Sequence, residues 1–279
     1  MRVDAHQHFW RLARGDYDWL TPDLTALYRD FEPDHLHPLL DACGVDRTVV
    51  VQAAPTEAET RHLLHLCAAD PRIASVVGWA DLEATDAPAR IEALAAEPGL
   101  VGLRPMIQDI PDDHWMLGEG LTPAFEAMTA LGLRLDALVH ERHLAHLATL
   151  VDRHPALPVV LDHGAKPDIA GGRLAPWREA LAPLAEREHV YCKLSGLLTE
   201  AGDDQAPEAV LPWMDALLEL FGPERLMWGS DWPVLTLADD YGTWHEVTLR
   251  WLDAADTDTR EHILGGTAAA FYGLTEGNP

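Results

Sequence analysis

The chain has 279 residues, 48% of them hydrophobic and 24% charged, which is enough apolar material for one large core and unlike the composition of a disordered segment. Twenty lysines and arginines against 46 aspartates and glutamates give a formal charge of −26, so repulsion from phosphates argues against nucleic acid and anionic membrane surfaces as partners. The three cysteines, Cys43, Cys67 and Cys192, are widely spaced with no CxxC, and no run approaches the roughly eighteen apolar residues of a membrane span, which leads to the expectation of a cytoplasmic protein without disulfides or signal peptide.

Eight short apolar runs follow one another along the chain: "RVDAH", "RTVVVQA", "IASVVGWA", "LVGLRPMI", "LRLDALV", "LPVVLDH", "VYCKLSG" and "LMWGSD". Most are separated by stretches with helical periodicity, such as 55–70, 142–154 and 208–221. Continuous rather than alternating apolar residues indicate strands buried on both faces, as in a parallel sheet covered by helices. Eight such units favour a closed (β/α)₈ TIM barrel, read as a single domain over 1–279, with its active site at the C-terminal ends of the strands. Two segments break the rhythm, 11–34 and 108–120, and both are expected to be loops at that end. The last stretch, "DTREHILGGTAAAFYGL", reads as a final helical segment packed across the barrel.

A barrel interior is packed with apolar side chains, so polar residues at strand ends should point into the mouth. The first strand ends in His6 and His8, the fourth in Arg104 and then Gln108, and the sixth in Asp162 and His163. The seventh carries Lys193 and Ser195, and the eighth ends in Asp231. At i and i+2 of an extended strand, His6 and His8 share a face and both can reach one cation; His163 and Asp231 would complete three nitrogens and one carboxylate, a set suited to zinc or another divalent metal. Asp231 could serve as ligand, as base toward water or as a helix cap, and Arg104 and Lys193 as substrate contacts or partners in buried ion pairs. Trp10, Trp115 and Trp232 lie just beyond strand ends, where indole faces could cover a sugar ring. No GxSxG, GxxxxGK[ST] or GxGxxG motif occurs, which removes the sequence basis for a serine hydrolase or a nucleotide-binding protein.

At "DAHQHFW", "GLRPMIQD", "LDHGAKP", "YCKLSGLLTEA", "MWGSDWPV" and "GGTAAAFYGL" the chain resembles the amidohydrolase superfamily, in its amidohydrolase-2 branch of barrel hydrolases that includes sugar lactonases. The resemblance implies a metal cluster at His6, His8, His163 and Asp231, holding one divalent ion with zinc the first choice, held loosely or dispensable. It implies hydrolysis of a sugar-acid lactone, of the L-fucono- or L-rhamnono-lactone type, by an activated water. Asp231 and His163 would be catalytic, and Arg104, Gln108, Lys193, Trp10 and Trp232 would orient the substrate. Pro105 stands where the resemblance leads one to expect a histidine. A metal-dependent nonoxidative decarboxylase of the same superfamily and a catalytically inactive ligand-binding barrel remain as alternatives, and the oligomeric state stays open.

Overall fold

The computed structural model describes residues 1–202 and 206–275, and each of the eight apolar runs contains a strand. They are β1 (Val3–Gln7), β2 (Arg47–Val51), β3 (Ile73–Gly78), β4 (Leu100–Leu103), β5 (Arg134–Ala137), β6 (Val159–Leu161), β7 (Val190–Leu194) and β8 (Leu226–Trp228). All neighbouring pairs are parallel and the sheet runs in sequence order from β1 to β8. The two ends meet just beyond β8, where Asp231 N donates to the His6 carbonyl and His8 N to the Trp232 carbonyl, each at 2.7 Å. This closes the (β/α)₈ barrel.

Around it lie α1 (Pro33–Cys43), α2 (Glu57–Ala69), α3 (Ala87–Ala95), α4 (Thr122–Ala130), α5 (Leu144–Arg153), α6 (Leu174–Ala185), α7 (Leu197–Ala201), α8 (Leu211–Phe221) and α9 (Tyr241–Trp251). Local chemistry sets their starts: Thr56 Oγ1 accepts from Glu59 N at 3.1 Å to cap α2, and Pro33 opens α1 at a position that has no N–H to lose. That proline begins a helix inside the segment expected to be a loop through residue 34. The rest of that segment folds over one end of the barrel by a bridge between Trp10 and Phe31, burying Trp10, Leu27 and Phe31.

The terminal segment is helical and packs across the barrel as expected, in two pieces. α10 (Thr257–Glu261) and α11 (Thr267–Tyr272) flank a π-helical turn at His262–Gly266. Ala268, Phe271 and Tyr272 pack with Val3, Ala5, Val49, Val51, Val77, Val160 and Met227, the inward residues of the strands, and so form the barrel floor. Val50, Val76, Val159 and Leu161 belong instead to the outer layer between sheet and helices. Burial on both faces is why the strands read as unbroken apolar runs.

Candidate active site

The site is built on the seam. Bonding between Asp231 and His6 and between His8 and Trp232 brings residues from opposite ends of the chain onto one wall. Gly229 permits this closure, because a Cβ there would lie 2.8 Å from the His6 Cβ. The register of β1 shifts between Asp4 and Gln7, and His6 and His8 then converge, with 3.2 Å between their Nε2 atoms. His163 follows β6 and Asp231 follows β8, with φ of 54° and 60°. A left-handed conformation costs a residue with a side chain about 1–3 kcal/mol, and such strain collects where surrounding structure fixes a functional group.

Asp231 Oδ1 lies 3.3 Å from His8 Nε2, 3.7 Å from His6 Nε2 and 3.8 Å from His163 Nε2. Donor atoms ~2.0–2.2 Å from a tetrahedral ion are ~3.3–3.6 Å apart; the ligand atoms of His6, His163 and Asp231 lie within 4.8 Å of one another, a set that suits one zinc-sized cation, and His8 stands beside it. The proton positions suit it too. His8 Nδ1–H donates to the Val51 carbonyl at 2.8 Å, which leaves a bare Nε2 in the cluster. His163 Nδ1 pairs with Ser195 Oγ at 2.9 Å, and its Nε2 also faces inward. For His6, Asp162 Oδ1 at 3.3 Å draws the proton to Nδ1, whereas Lys193 Nζ at 3.1 Å favours a bare Nδ1; a cation on the Nε2 side decides for the former. Burial holds the imidazolium form of His6 well below its ordinary range, with Lys193 adding to the effect, and brings His163 down to about 4. Both rings are therefore neutral near pH 7, as ligation requires. Burial alone would raise the Asp231 carboxyl, but His163, His8 and His6 together hold it well below the usual range.

Gly196, at φ 62°, completes the fit around His163: a Cβ there would fall 2.6 Å from its Nδ1. Beneath the cluster, in an ion layer, Arg104 and Lys193 take the second of the two roles read for them from the sequence, as partners in buried ion pairs. Lys193 Nζ is 2.5 Å from Asp136 Oδ2 and 3.0 Å from Asp162 Oδ1, and Arg104 Nη1 is 3.3 Å from Asp162 Oδ2. Tyr272 Oη donates to Asp136 Oδ2 at 2.7 Å from the floor. Two cations and two carboxylates thus balance inside the barrel, where an unpaired charge would be costly.

Above the cluster opens a cavity of about 260 Å³ that His8, His163, Asp231, Arg104 and Gln108 help to line. Trp19, Asp109 and Lys166 line it too, and none of these three was singled out from sequence. Lys166 sits in "LDHGAKP" at φ 52°, and a basic residue three positions after a predicted ligand was the available signal for it. Three expected substrate contacts lie elsewhere. Trp10 is wholly buried among Tyr17, Trp19 and Phe31, with its Nε1 donating to the Arg29 carbonyl at 2.8 Å. Trp232 packs edge-on against Phe9 and Phe31 and is 4% exposed, outside the cavity. Lys193 is sealed in the ion layer with no exposed surface. Pro105 lines a neighbouring cavity with Trp115.

Eight parallel strands, with an HxH pair, a third histidine and an aspartate meeting at their C-terminal ends, define a hydrolase-type (β/α)₈ barrel. Residues 3–274 match the family model described as Amidohydrolase, and the chain belongs to that family. It is 48% identical over 97% of its length to an L-fucono-1,5-lactonase of Burkholderia ambifaria, of which 95% is covered. It is 40% identical over 99% of its length to an L-fucono-1,5-lactonase of Burkholderia multivorans, of which 97% is covered. The crystal structure of a Burkholderia multivorans amidohydrolase with bound zinc superposes with a TM-score of 0.93 at 39% identity, over 99% of this chain and all of that one.

Proposed function

We propose that this chain, as a single domain, hydrolyses the ring ester of a sugar-acid lactone of the L-fucono-1,5-lactone type and releases the open-chain aldonate. The observation that carries the reading is the convergence of His6, His163 and Asp231, with His8 3.3 Å from Asp231, at the base of a small cavity lined by hydrogen-bonding side chains. The names of the relatives supply the substrate class. A divalent ion held by these four residues, with zinc the first choice, would make a water more acidic and polarise the lactone carbonyl.

Asp231 is ionised throughout the neutral range and stands ready to take a proton. The three histidine contacts all fall on its Oδ1, which leaves Oδ2 to accept the proton as water adds to the carbonyl carbon. Asp231 then returns that proton to the ring oxygen as the C–O bond breaks, so the ester becomes one carboxyl and one hydroxyl. His163, braced by Ser195, keeps the cluster in place during the exchange. Arg104, Gln108 and Lys166 offer donors to the carbonyl and the ring hydroxyls.

The test is acid release from a panel of sugar lactones in a weakly buffered indicator assay, with metal content determined on the same sample and the uncatalysed rate subtracted. Stereoselective opening that falls about 10²–10⁴-fold in Asp231→Asn is expected. No rate above background on any lactone defeats the proposal, and ligand-induced thermal stabilisation without turnover would point to a binding protein.

A further inference from the structure

Beside the catalytic cavity lies a second one of about 400 Å³, and the two share Trp19, Met106 and Asp109 as common walls. The two cavities are therefore adjacent, with these three side chains between them. The sides of the second include the indoles of Trp19, Trp79 and Trp115, all half-buried, with the buried ring of Pro105 beside them. Four carboxylates, Asp18, Asp81, Glu83 and Asp109, stand among the lining residues, and no lysine or arginine does. Trp115 Nε1 is shielded from solvent and has no acceptor among the described residues.

These features select among ligands. Flat indoles cover apolar faces, and carboxylates accept from hydroxyls at the edge of such a face. Four carboxylates without a cation repel anions, so a second carboxylate or a phosphate is disfavoured. A pyranose ring has what is left: apolar C–H faces, a rim of hydroxyl donors, acceptor oxygens and no charge. We infer that the second cavity is a sugar subsite, and that the substrate is a lactone carrying a neutral pyranose, with the lactone ring over Asp231 and the added ring between the tryptophans. This rests on the lactonase reading and extends it from a monosaccharide lactone to a glycosylated one.

The experiment takes the monosaccharide lactone that the enzyme opens fastest and compares it with derivatives bearing a neutral hexopyranose on each free hydroxyl in turn. One derivative is expected to show a KM about tenfold lower than its parent, the effect of one well-stacked ring. Trp79→Ala and Trp115→Ala should abolish that gain and leave kcat/KM for the parent unchanged. The inference is overturned if every derivative is opened more slowly than the parent, or if the gain survives both substitutions in variants that keep the wild-type melting temperature. A cyclohexyl ether at the same position gaining as much as the sugar would also overturn it, reassigning the cavity to an apolar substituent. Failure to open any parent lactone is a separate result and refutes the lactonase reading itself.

Discussion

Replacing Lys193 by Met removes one charge from the ion layer while keeping an unbranched side chain of similar length. The ammonium it removes lies 2.5 Å from Asp136 and 3.0 Å from Asp162, and all three groups are fully buried. Asp162 keeps Arg104 at 3.3 Å, so the isolated charge is Asp136. Breaking a buried pair on one side costs about 3–5 kcal/mol, which for a chain of this size lowers Tm by ~5–9 °C. The loss should depend on pH. Burial already pushes the Asp136 carboxyl from 3.8 up to about 6, with Lys193 pulling against it, and without Lys193 it rises further. An acid whose folded pKa exceeds its unfolded one takes up a proton on folding, so its contribution is full below 3.8 and is lost as pH rises through the folded value. The deficit of the variant is thus smallest near pH 5 and largest near pH 8. Lys193→Met combined with Asp136→Asn removes both charges and keeps an acceptor for Tyr272, and should recover at least half of the loss. Thermal and urea unfolding at several pH values measure all three proteins. A deficit under ~1 kcal/mol, or a double variant no more stable than the single one, would show that the layer is not held by this pair.

Gly196→Ala forces a methyl group to within 2.6 Å of His163 Nδ1 at a left-handed backbone position; lactone turnover should fall at least tenfold with a loss of about 1–3 kcal/mol, and full activity would mean that the loop yields. Zinc at a hundredfold excess over its Kd should stabilise the protein by ~2.7 kcal/mol, seen as a rise in Tm; His8→Gln should remove most of that rise, and an equal rise in the variant would place the ion elsewhere. Burial pushes the Glu59 carboxyl from 4.5 up to about 7, against the pull of the Ala54 and Ala53 N–H groups. Wild-type stability should therefore fall by up to ~3.5 kcal/mol between those pH values, and Glu59→Gln should flatten that slope; parallel pH profiles of the two proteins would refute it.

The barrel was legible because both faces of every strand are buried, which leaves eight continuous apolar runs that few other folds would require. His6, His8, His163 and Asp231 stood out because each ends a strand, and strand ends are the one place where sequence order reports spatial position. The same rule misplaced Trp10 and Trp232, since a residue just beyond a strand can turn outward, and the bridge from Trp10 to Phe31 makes it do so. Asp136 was passed over although a carboxylate within "LRLDALV" is itself a sign of a buried partner; only the fold reveals that the partner is Lys193, two strands away. Trp19 lay within a segment whose path depends on tertiary packing, and nothing local could place its indole in the mouth.

The seam also sets a timetable for the site. His8 and Asp231 are separated by 223 residues, and the backbone bonds that join their strands are the ones that close the ring. At about 5–20 residues per second, the first two histidines leave the ribosome roughly 10–45 s before the aspartate that must face them. Throughout that interval they are a pair without a pocket, and the four-donor cluster exists only once the last strand has docked. The cluster therefore works as a test of completeness: a chain truncated before β8 keeps three of the four residues proposed to hold the ion yet has no wall to hold them together.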